Sequence, residues 1–245
     1  MIGRALLKRL SLIGDLRPGD VSAIRQLSGE VRTVSKSTDL LVTGAVPKVA
    51  VVVLDGFLCR YTLRSSGARQ VQGFYIPTDA PFLETLHLDY LDSSLATIAQ
   101  SVVGLVSHME IARLVERRPG LSALVWRESL IQAAAAREWL SRNSILSGPE
   151  AMAHLFCELF VRSRAAGHAS ESSCAMPATQ EVLGQALGLT AVHVNRTLQL
   201  LRQDGLVDLR RGRLHIHDLA GLTRLAGFDP HYLHLRGDRP GPPLV

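Results

Sequence analysis

The chain has 245 residues, of which 47% are hydrophobic and 20% are charged, and its formal net charge is +5. This composition supplies enough apolar material for a buried core and excludes an intrinsically disordered protein. The basic balance is compatible with nucleic-acid binding but does not establish it, because many enzymes are equally basic. The three cysteines, Cys59, Cys157 and Cys174, include no Cys-x-x-Cys pair, so neither a disulfide framework nor a zinc site is indicated.

The N-terminal segment predicts an amphipathic helix. Residues 1–10 carry charges spaced among apolar residues and no small-residue cleavage site, unlike a signal peptide. The most apolar run, residues 49–54, is too short to cross a bilayer. We therefore expect a cytoplasmic protein with no membrane partner.

The first half of the chain has the pattern of short strands. Side chains alternate or are β-branched, and turn residues such as Asp55-Gly56 and the segment 64–69 separate the runs. Many short strands with glycine-bearing turns predict a β-barrel, sandwich or roll. The predicted strands cover residues 31–35, 40–43, 49–63, 70–76 and 94–106.

From His108 onward the apolar spacing becomes that of helices. A long helix is predicted over about 121–146, because it contains four consecutive alanines at 133–136. Two interpretations remain open: a helix packed on its own domain, or a dimer seam, which we favour because small alanines allow two helices to approach closely. The side chains predicted for that seam are Leu121, Leu124, Ile131 and Ala135.

Residues 179–203 have the pattern of a helix-turn-helix. Thr179 is placed to cap a short first helix, Gly188 to end it in the left-handed conformation, and Thr190 to cap the second helix. In that second helix, Val194, Leu198 and Leu201 recur at four- and three-residue steps and predict the buried face. The opposite face is left to enter a major groove.

A basic hairpin follows the second helix. Residues 204–207 turn into a strand, Arg210-Arg211-Gly212-Arg213 forms the tip, and residues 214–216 return as the partner strand. Arginines at such a tip are placed to contact phosphates. The alternative is a small helical hairpin with a solvated charge run. The candidate DNA-contacting residues are Thr179, Gln180, Thr190, Ala191, Val192, His193, Asn195, Arg196, Arg210, Arg211 and Arg213.

With these motifs the chain resembles the Crp/Fnr superfamily of bacterial regulators, in particular an alphaproteobacterial branch of the non-cyclic-AMP type. The resemblance rests on Arg137-Glu138-Trp139-Leu140 and on segments 153–159, 188–196 and 228–234.

The resemblance implies an α+β fold with a β-roll sensor of the cyclic-nucleotide-binding type, a dimerisation helix and a C-terminal winged helix-turn-helix. It also implies a homodimer on a pseudo-palindromic site in double-stranded DNA, with RNA polymerase as a further partner of an activator. The domains expected are 1–118, 119–147 and 148–236, with a mobile tail at 237–245.

The effector segment departs from the family pattern that holds cyclic AMP. Glu84 is placed to bind the ribose, but Leu83 replaces a glycine, and Ser93 or Ser94 stands where the phosphate-binding arginine is expected. Loss of that charge-assisted hydrogen bond costs about 1.5–3 kcal/mol. We expect an effector other than cyclic AMP, and a cyclic-nucleotide-responsive regulator remains the alternative.

The sequence gives little support to other kinds of sensor or to other classes of protein. No cysteine precedes Cys59, which argues against an iron–sulfur cluster, and His87 and His108 are a weak haem pair, so no cofactor and no metal are expected. Cys174, in a polar segment, is the one candidate for redox reactivity. The rival classes are a β-roll enzyme, which we do not expect, and an architectural DNA binder without a signal.

The second helix also departs from the pattern. Val192 stands where family members usually have a glutamate that accepts from cytosine, and Ala191 stands at the place of an arginine, whereas Arg196 is retained. The resemblance therefore implies a different half-site, with Val192 or Ala191 against a thymine methyl group and His193 or Asn195 as donors.

Overall fold

The computed structural model describes residues 1–81 and 83–236. The chain divides into two compact units, Met1–Gln132 and Ala133–Val245, and one helix, α4 (Pro119–Ile145), continues across the division. The boundaries expected from the sequence lie at the two ends of this helix, whereas the division falls inside it. The tail predicted at 237–245 lies outside the described residues. Within them, no helix combines the length and apolar character needed to span a membrane.

The first unit contains seven strands in two antiparallel sheets, which agrees with the predicted N-terminal β-roll. One sheet has the order β1-β7-β3 and the other β2-β6-β4-β5. The strands are β1 (Glu30–Val34), β2 (Asp39–Leu41), β3 (Val49–Asp55), β4 (Leu58–Leu63), β5 (Arg69–Tyr75), β6 (Ser94–Thr97) and β7 (Ser101–Ser107).

Helices cover one face of the β1-β7-β3 sheet. The predicted N-terminal helix is α1 (Ile2–Ile13), and it is followed by α2 (Pro18–Arg25), which the sequence analysis did not predict. A short 3-10 helix (Leu83–His87) precedes β6, and α3 (His108–Arg117) leads into α4.

The position of β3 explains why its sequence is apolar without alternation. Ala50 and Val52 pack into the core shared with the helices, while Val51 and Val53 pack between the two sheets. A strand buried on both faces has no polar face, so its sequence is a continuous apolar run.

Three of the four side chains predicted for the dimer seam lie in the core of the first unit, whereas the fourth, Ala135, belongs to the second unit. Leu121, Leu124 and Ile131 are 1%, 8% and 3% exposed and belong to the same core as α1. Their assignment to a dimer seam was wrong, because they stabilise their own domain, and Ala135 is only half-buried. A different stripe of α4 is exposed, with Trp126 at 70%, Leu130 at 56% and Leu140 at 71%.

The second unit is built around α5 (Gly148–Ala165), in which every residue from Ala151 to Phe160 is buried. A three-stranded antiparallel sheet, ordered β8-β10-β9, lies in the same unit. The stretch 169–174 was predicted as a loop, but part of it forms β8 because its backbone pairs with β10. The remaining elements are β8 (Ser173–Ala175), α6 (Gln180–Leu187), α7 (Ala191–Gln203), β9 (Val207–Arg210), β10 (Arg213–Ile216), α8 (Leu219–Ala226) and a 3-10 helix (Pro230–Leu233).

Candidate nucleic-acid interface

The turn between α6 and α7 has the caps that the sequence predicted. Thr179 Oγ1 accepts a hydrogen bond from the Val182 amide at 3.3 Å, and Thr190 Oγ1 accepts from the His193 amide at 3.2 Å. Gly188 ends α6 with φ +69°, the left-handed region that glycine adopts without strain. Thr179 and Thr190 are exposed and Gln180 is half-buried, so the helix starts are accessible.

A second glycine in this turn is required by close packing. A side chain at Gly184 would place its Cβ 2.4 Å from the Leu189 carbonyl oxygen, well inside van der Waals contact. The helix-turn-helix can therefore close only with glycine at this position. The sequence analysis did not single out this residue.

The two faces of α7 agree with the predicted division. Val194, Thr197 and Leu201 are buried and Leu198 is half-buried. Ala191 and Arg196 are exposed, Val192 is 64% exposed, and Asn195 is half-buried.

His193 lies at the edge of the exposed face. Its ring is exposed, but a side chain at Gly148 would approach His193 Nε2 to 3.2 Å, so the ring lies beside the start of α5. The exposed face thus combines the apolar Val192 with the cationic Arg196.

Arg196 has no ion pair among the described residues. The intramolecular alternative, a salt bridge to Asp204, is not formed, because neither side chain takes part in one in this part of the chain. Its guanidinium is therefore available to a ligand.

The predicted hairpin is formed by β9 and β10, in which Arg210 pairs with Arg213 and Val207 with Ile216. Its loop is Arg211-Gly212, and both residues have positive φ, +49° and +73°. Two consecutive positive φ values are typical of a type I′ turn, whose twist matches that of the strands. Arg211 is exposed at the tip and, within the described residues, forms no ion pair.

The other two hairpin arginines are engaged inside the unit. Arg210 forms a salt bridge with Asp208, and Arg213 Nη2 donates to Ser173 Oγ at 2.8 Å. Asp208 precedes Arg210 by two residues on β9, and strand pairing brings the Ser173 hydroxyl to Arg213, so both predicted phosphate contacts already have a partner within the unit. Arg211 alone of the three is uncommitted.

Each of the predicted effector residues of the β-roll is engaged with another residue of the same unit. Ser94 Oγ accepts from the Thr43 amide at 3.0 Å, and Ser93 Oγ donates to Asp92 at 2.8 Å. Glu84 forms a salt bridge with Arg60, a residue that the sequence analysis missed because it lies on β4, far away in sequence. The cation present here is thus already paired with a carboxylate.

Arg64 and Arg69, the arginines that follow β4 and begin β5, do not replace the missing phosphate arginine. The Arg69 guanidinium stacks over the Tyr61 ring, 3.4 Å from its centroid, and forms a salt bridge with Asp39 at 3.6 Å. Arg64 lies in the exposed turn after β4. Neither residue offers a free cation beside Ser93 and Ser94.

The cysteines and histidines indicate no redox or metal site. Burial raises the pKa of Cys174 to about 11, so this thiol is protonated near neutral pH, and its suspected reactivity was wrong. His108 Nε2 lies 3.2 Å from Thr85 Oγ1, and burial lowers the pKa of this histidine. Residues 1–81 and 83–236 contain no cluster of three potential metal ligands.

A buried polar cluster lies behind the DNA-facing elements, and we call it the Glu158 cluster. The Glu158 carboxylate accepts hydrogen bonds from Trp139 Nε1 at 2.8 Å, from the Tyr232 hydroxyl at 2.8 Å and from Arg162 Nη1 at 2.9 Å. The Arg142 guanidinium stacks on Trp139 at 4.2 Å. These contacts join the end of α4, α5 and the C-terminal 3-10 helix into one unit.

Two capped helices around a tight glycine turn, followed by a basic β-hairpin, define the winged helix-turn-helix class of DNA-binding domains. Residues 150–225 match the family described as the Crp-like helix-turn-helix domain. The chain is 26% identical to the transcriptional activator protein FnrA of Stutzerimonas stutzeri, with 90% of each chain covered. It is 27% identical to the nitrogen fixation regulation protein FixK of Azorhizobium caulinodans, covering 85% of this chain and 83% of FixK.

The fold has a counterpart among solved structures. The structure of FixK2 from Bradyrhizobium japonicum superposes with a TM-score of 0.72 at 19% identity, covering 81% of this chain and 98% of FixK2. Residues 150–225 thus match the Crp-like helix-turn-helix family, and most of the chain is similar to transcription regulators of the Fnr and FixK type.

Proposed function

We propose that this regulator acts as a cytoplasmic homodimer on double-stranded DNA, with α7 in the major groove and the hairpin tip on the backbone. The proposal rests chiefly on the exposed face of α7, where Val192 and an unpaired Arg196 lie side by side. It includes no catalytic activity, and RNA polymerase would be a further partner if the protein activates transcription.

The two uncommitted arginines are proposed to have different roles. Arg196, on α7, would read a base, whereas Arg211, at the tip of the hairpin, would contact a phosphate. Arg196→Ala is expected to cost about 1–3 kcal/mol on the best site and much less on random DNA. Arg211→Ala is expected to weaken both DNAs alike and to lower the salt slope by about one counterion per subunit.

The experiment first selects the preferred duplex from a random pool. Both variants are then titrated with that duplex and with a random duplex of equal length at several salt concentrations. Arg64→Ala, in the turn after β4, is the control for a general loss of one positive charge. Equal losses of affinity on the two DNAs for Arg196→Ala would show that this residue contacts phosphate and does not read a base. A wild-type protein without sequence preference would refute the proposed sequence-specific DNA binding.

The exposed stripe of α4 supports the dimer. Trp126, Leu130, Ala133, Arg137 and Leu140 recur at alternating steps of four and three residues and are all exposed. This spacing is the heptad repeat of a helix that packs against another along a narrow seam. A dimer formed along this seam is expected to bind two half-sites about one DNA turn, roughly 34 Å, apart.

A charge in the middle of that seam tests the dimer. Leu130→Glu is expected to give a folded monomer with reduced DNA affinity, because two buried carboxylates would face each other. Light scattering at micromolar concentration measures the mass, and Leu63→Glu, at an exposed position in β4, is the control. A wild-type monomer in solution that also binds one per half-site would contradict the dimer.

An effector other than cyclic AMP is also part of the proposal. The serines that replace the phosphate arginine are engaged with Thr43 and Asp92, and Arg60 is engaged with Glu84. Cyclic AMP is therefore expected to bind no better than millimolar and not to be required for DNA binding. Micromolar affinity in calorimetry would overturn this part of the proposal.

A further inference from the structure

Asp208 lies on β9 of the hairpin, and arginines engage both of its carboxylate oxygens. Arg202, in the last turn of α7, donates to Oδ1 through Nε at 3.0 Å and is ion-paired to it through Nη2 at 2.8 Å. Arg210, on the same strand as Asp208, pairs with Oδ2. The Asp208 side chain is only 12% exposed, so the pairing is partly protected from solvent.

The two arginines themselves are at the surface. The Arg202 side chain is 48% exposed and the Arg210 side chain 67% exposed, so a phosphate could reach either guanidinium. Arg196 and Arg211, by contrast, form no ion pair in the described part of the chain. Of these four arginines, one carboxylate engages two.

We propose that Asp208 limits sequence-independent DNA binding, because it engages Arg202 and Arg210, which would otherwise be free to contact phosphates. The inference rests on the proposed DNA-binding function. Each lysine or arginine that neutralises a phosphate adds affinity for every sequence equally, whereas base contacts add affinity for one sequence. Asp208 engages two arginines that would otherwise make such phosphate contacts. Arg196 and Val192 therefore control a larger share of the remaining binding free energy.

The substitution Asp208→Asn tests this because it preserves shape and removes the charge. Affinity for a random duplex is expected to rise about tenfold per subunit near 0.1 M salt, with a salt slope steeper by about one or two counterions. Affinity for the selected duplex should rise by a similar factor, because a released arginine contacts the phosphates of any sequence.

Asp204→Asn is the matched control. Asp204 is exposed at the end of α7 and has no ion pair among the residues described, so its substitution changes the net charge equally but releases no arginine. Its effect on the salt slope is expected to be close to zero. If Asp204→Asn and Asp208→Asn changed the affinity for random DNA and the salt slope equally, the cause would be the net charge alone. That result would overturn the inference.

Single substitutions of the arginines provide a test that does not require the Asp208 variant to fold. Arg202→Gln and Arg210→Gln should leave affinity for random DNA nearly unchanged, because Asp208 already engages both side chains. A tenfold loss with either variant would overturn the inference, as would an Asp208→Asn protein that is folded but weaker on both DNAs. The effects expected on random DNA do not depend on whether wild type prefers any sequence.

Discussion

Replacing Tyr232 with phenylalanine removes one hydroxyl from the Glu158 cluster and leaves the aromatic ring in place. The hydroxyl donates to a Glu158 oxygen at 2.8 Å, and the carboxylate is only 1% exposed. No water can readily replace the lost donor at such a depth. The variant therefore measures how strongly the C-terminal 3-10 helix is attached to α5.

The magnitude follows from the charge of the acceptor. A hydrogen bond to a charged group contributes about 1.5–3 kcal/mol, so the free energy of unfolding should fall by about 2 kcal/mol. For a unit of about one hundred residues, each kcal/mol shifts Tm by roughly 4–8 °C, which predicts a decrease of about 8–16 °C. Trp139 and Arg162 still bind the carboxylate in the variant, so the unit should remain folded at room temperature.

The assay is thermal unfolding followed by tryptophan fluorescence in a Trp126→Phe background. Trp126 and Trp139 are the only tryptophans of the chain, so the signal then reports on the cluster alone. Tyr90→Phe is the control, since Tyr90 is 66% exposed and makes no hydrogen bond among the described residues. Equal Tm values for the two variants would refute the reasoning.

The difference in unfolding free energy between wild type and Tyr232→Phe is expected to depend on pH in one direction. Desolvation opposes ionisation of Glu158, but the Arg162 and Arg142 charges outweigh it and hold the pKa of this carboxyl below its usual 4.5. A depressed pKa means that the stabilisation is present above pH 4.5 and is lost as the pH falls through the lower, folded-state value. The gap between wild type and Tyr232→Phe should narrow over that range.

Three further substitutions or reactions test other parts of the structure. Gly184→Ala would place a Cβ 2.4 Å from the Leu189 carbonyl oxygen, so we expect a loss of about 1–3 kcal/mol in urea unfolding and weaker DNA binding in gel shifts. Arg9→Met would leave the buried Glu128 carboxylate, now 2.9 Å from Arg9 Nε, without its cation, at a cost of about 3–5 kcal/mol in the same assay. Cys174, with its raised pKa of about 11, should react with a thiol reagent at pH 8 no faster than the unit unfolds.

The sequence predicted most of the elements because their signals are local. Thr179, Gly188 and Thr190 act on their own neighbours through caps and a positive φ, so the helix-turn-helix could be placed to within a residue or two. The β-roll strands and the basic hairpin were predicted for the same reason. α2 and α8 were missed, and both are helices of only eight residues.

The candidate site also has features that local sequence signals predict and features that depend on tertiary packing. The chain by itself determined which residues α7 exposes, because a helical period decides the face once Val194 and Leu201 are buried. Only the tertiary structure decided which stripe of α4 is free, because that helix has apolar side chains on two faces and the β-roll covers one of them. It likewise decided that Asp208 engages Arg202 and Arg210, and that Arg60 engages Glu84. Ion pairs join side chains from different elements, and their partners depend on how strands and helices pack, which no local pattern encodes.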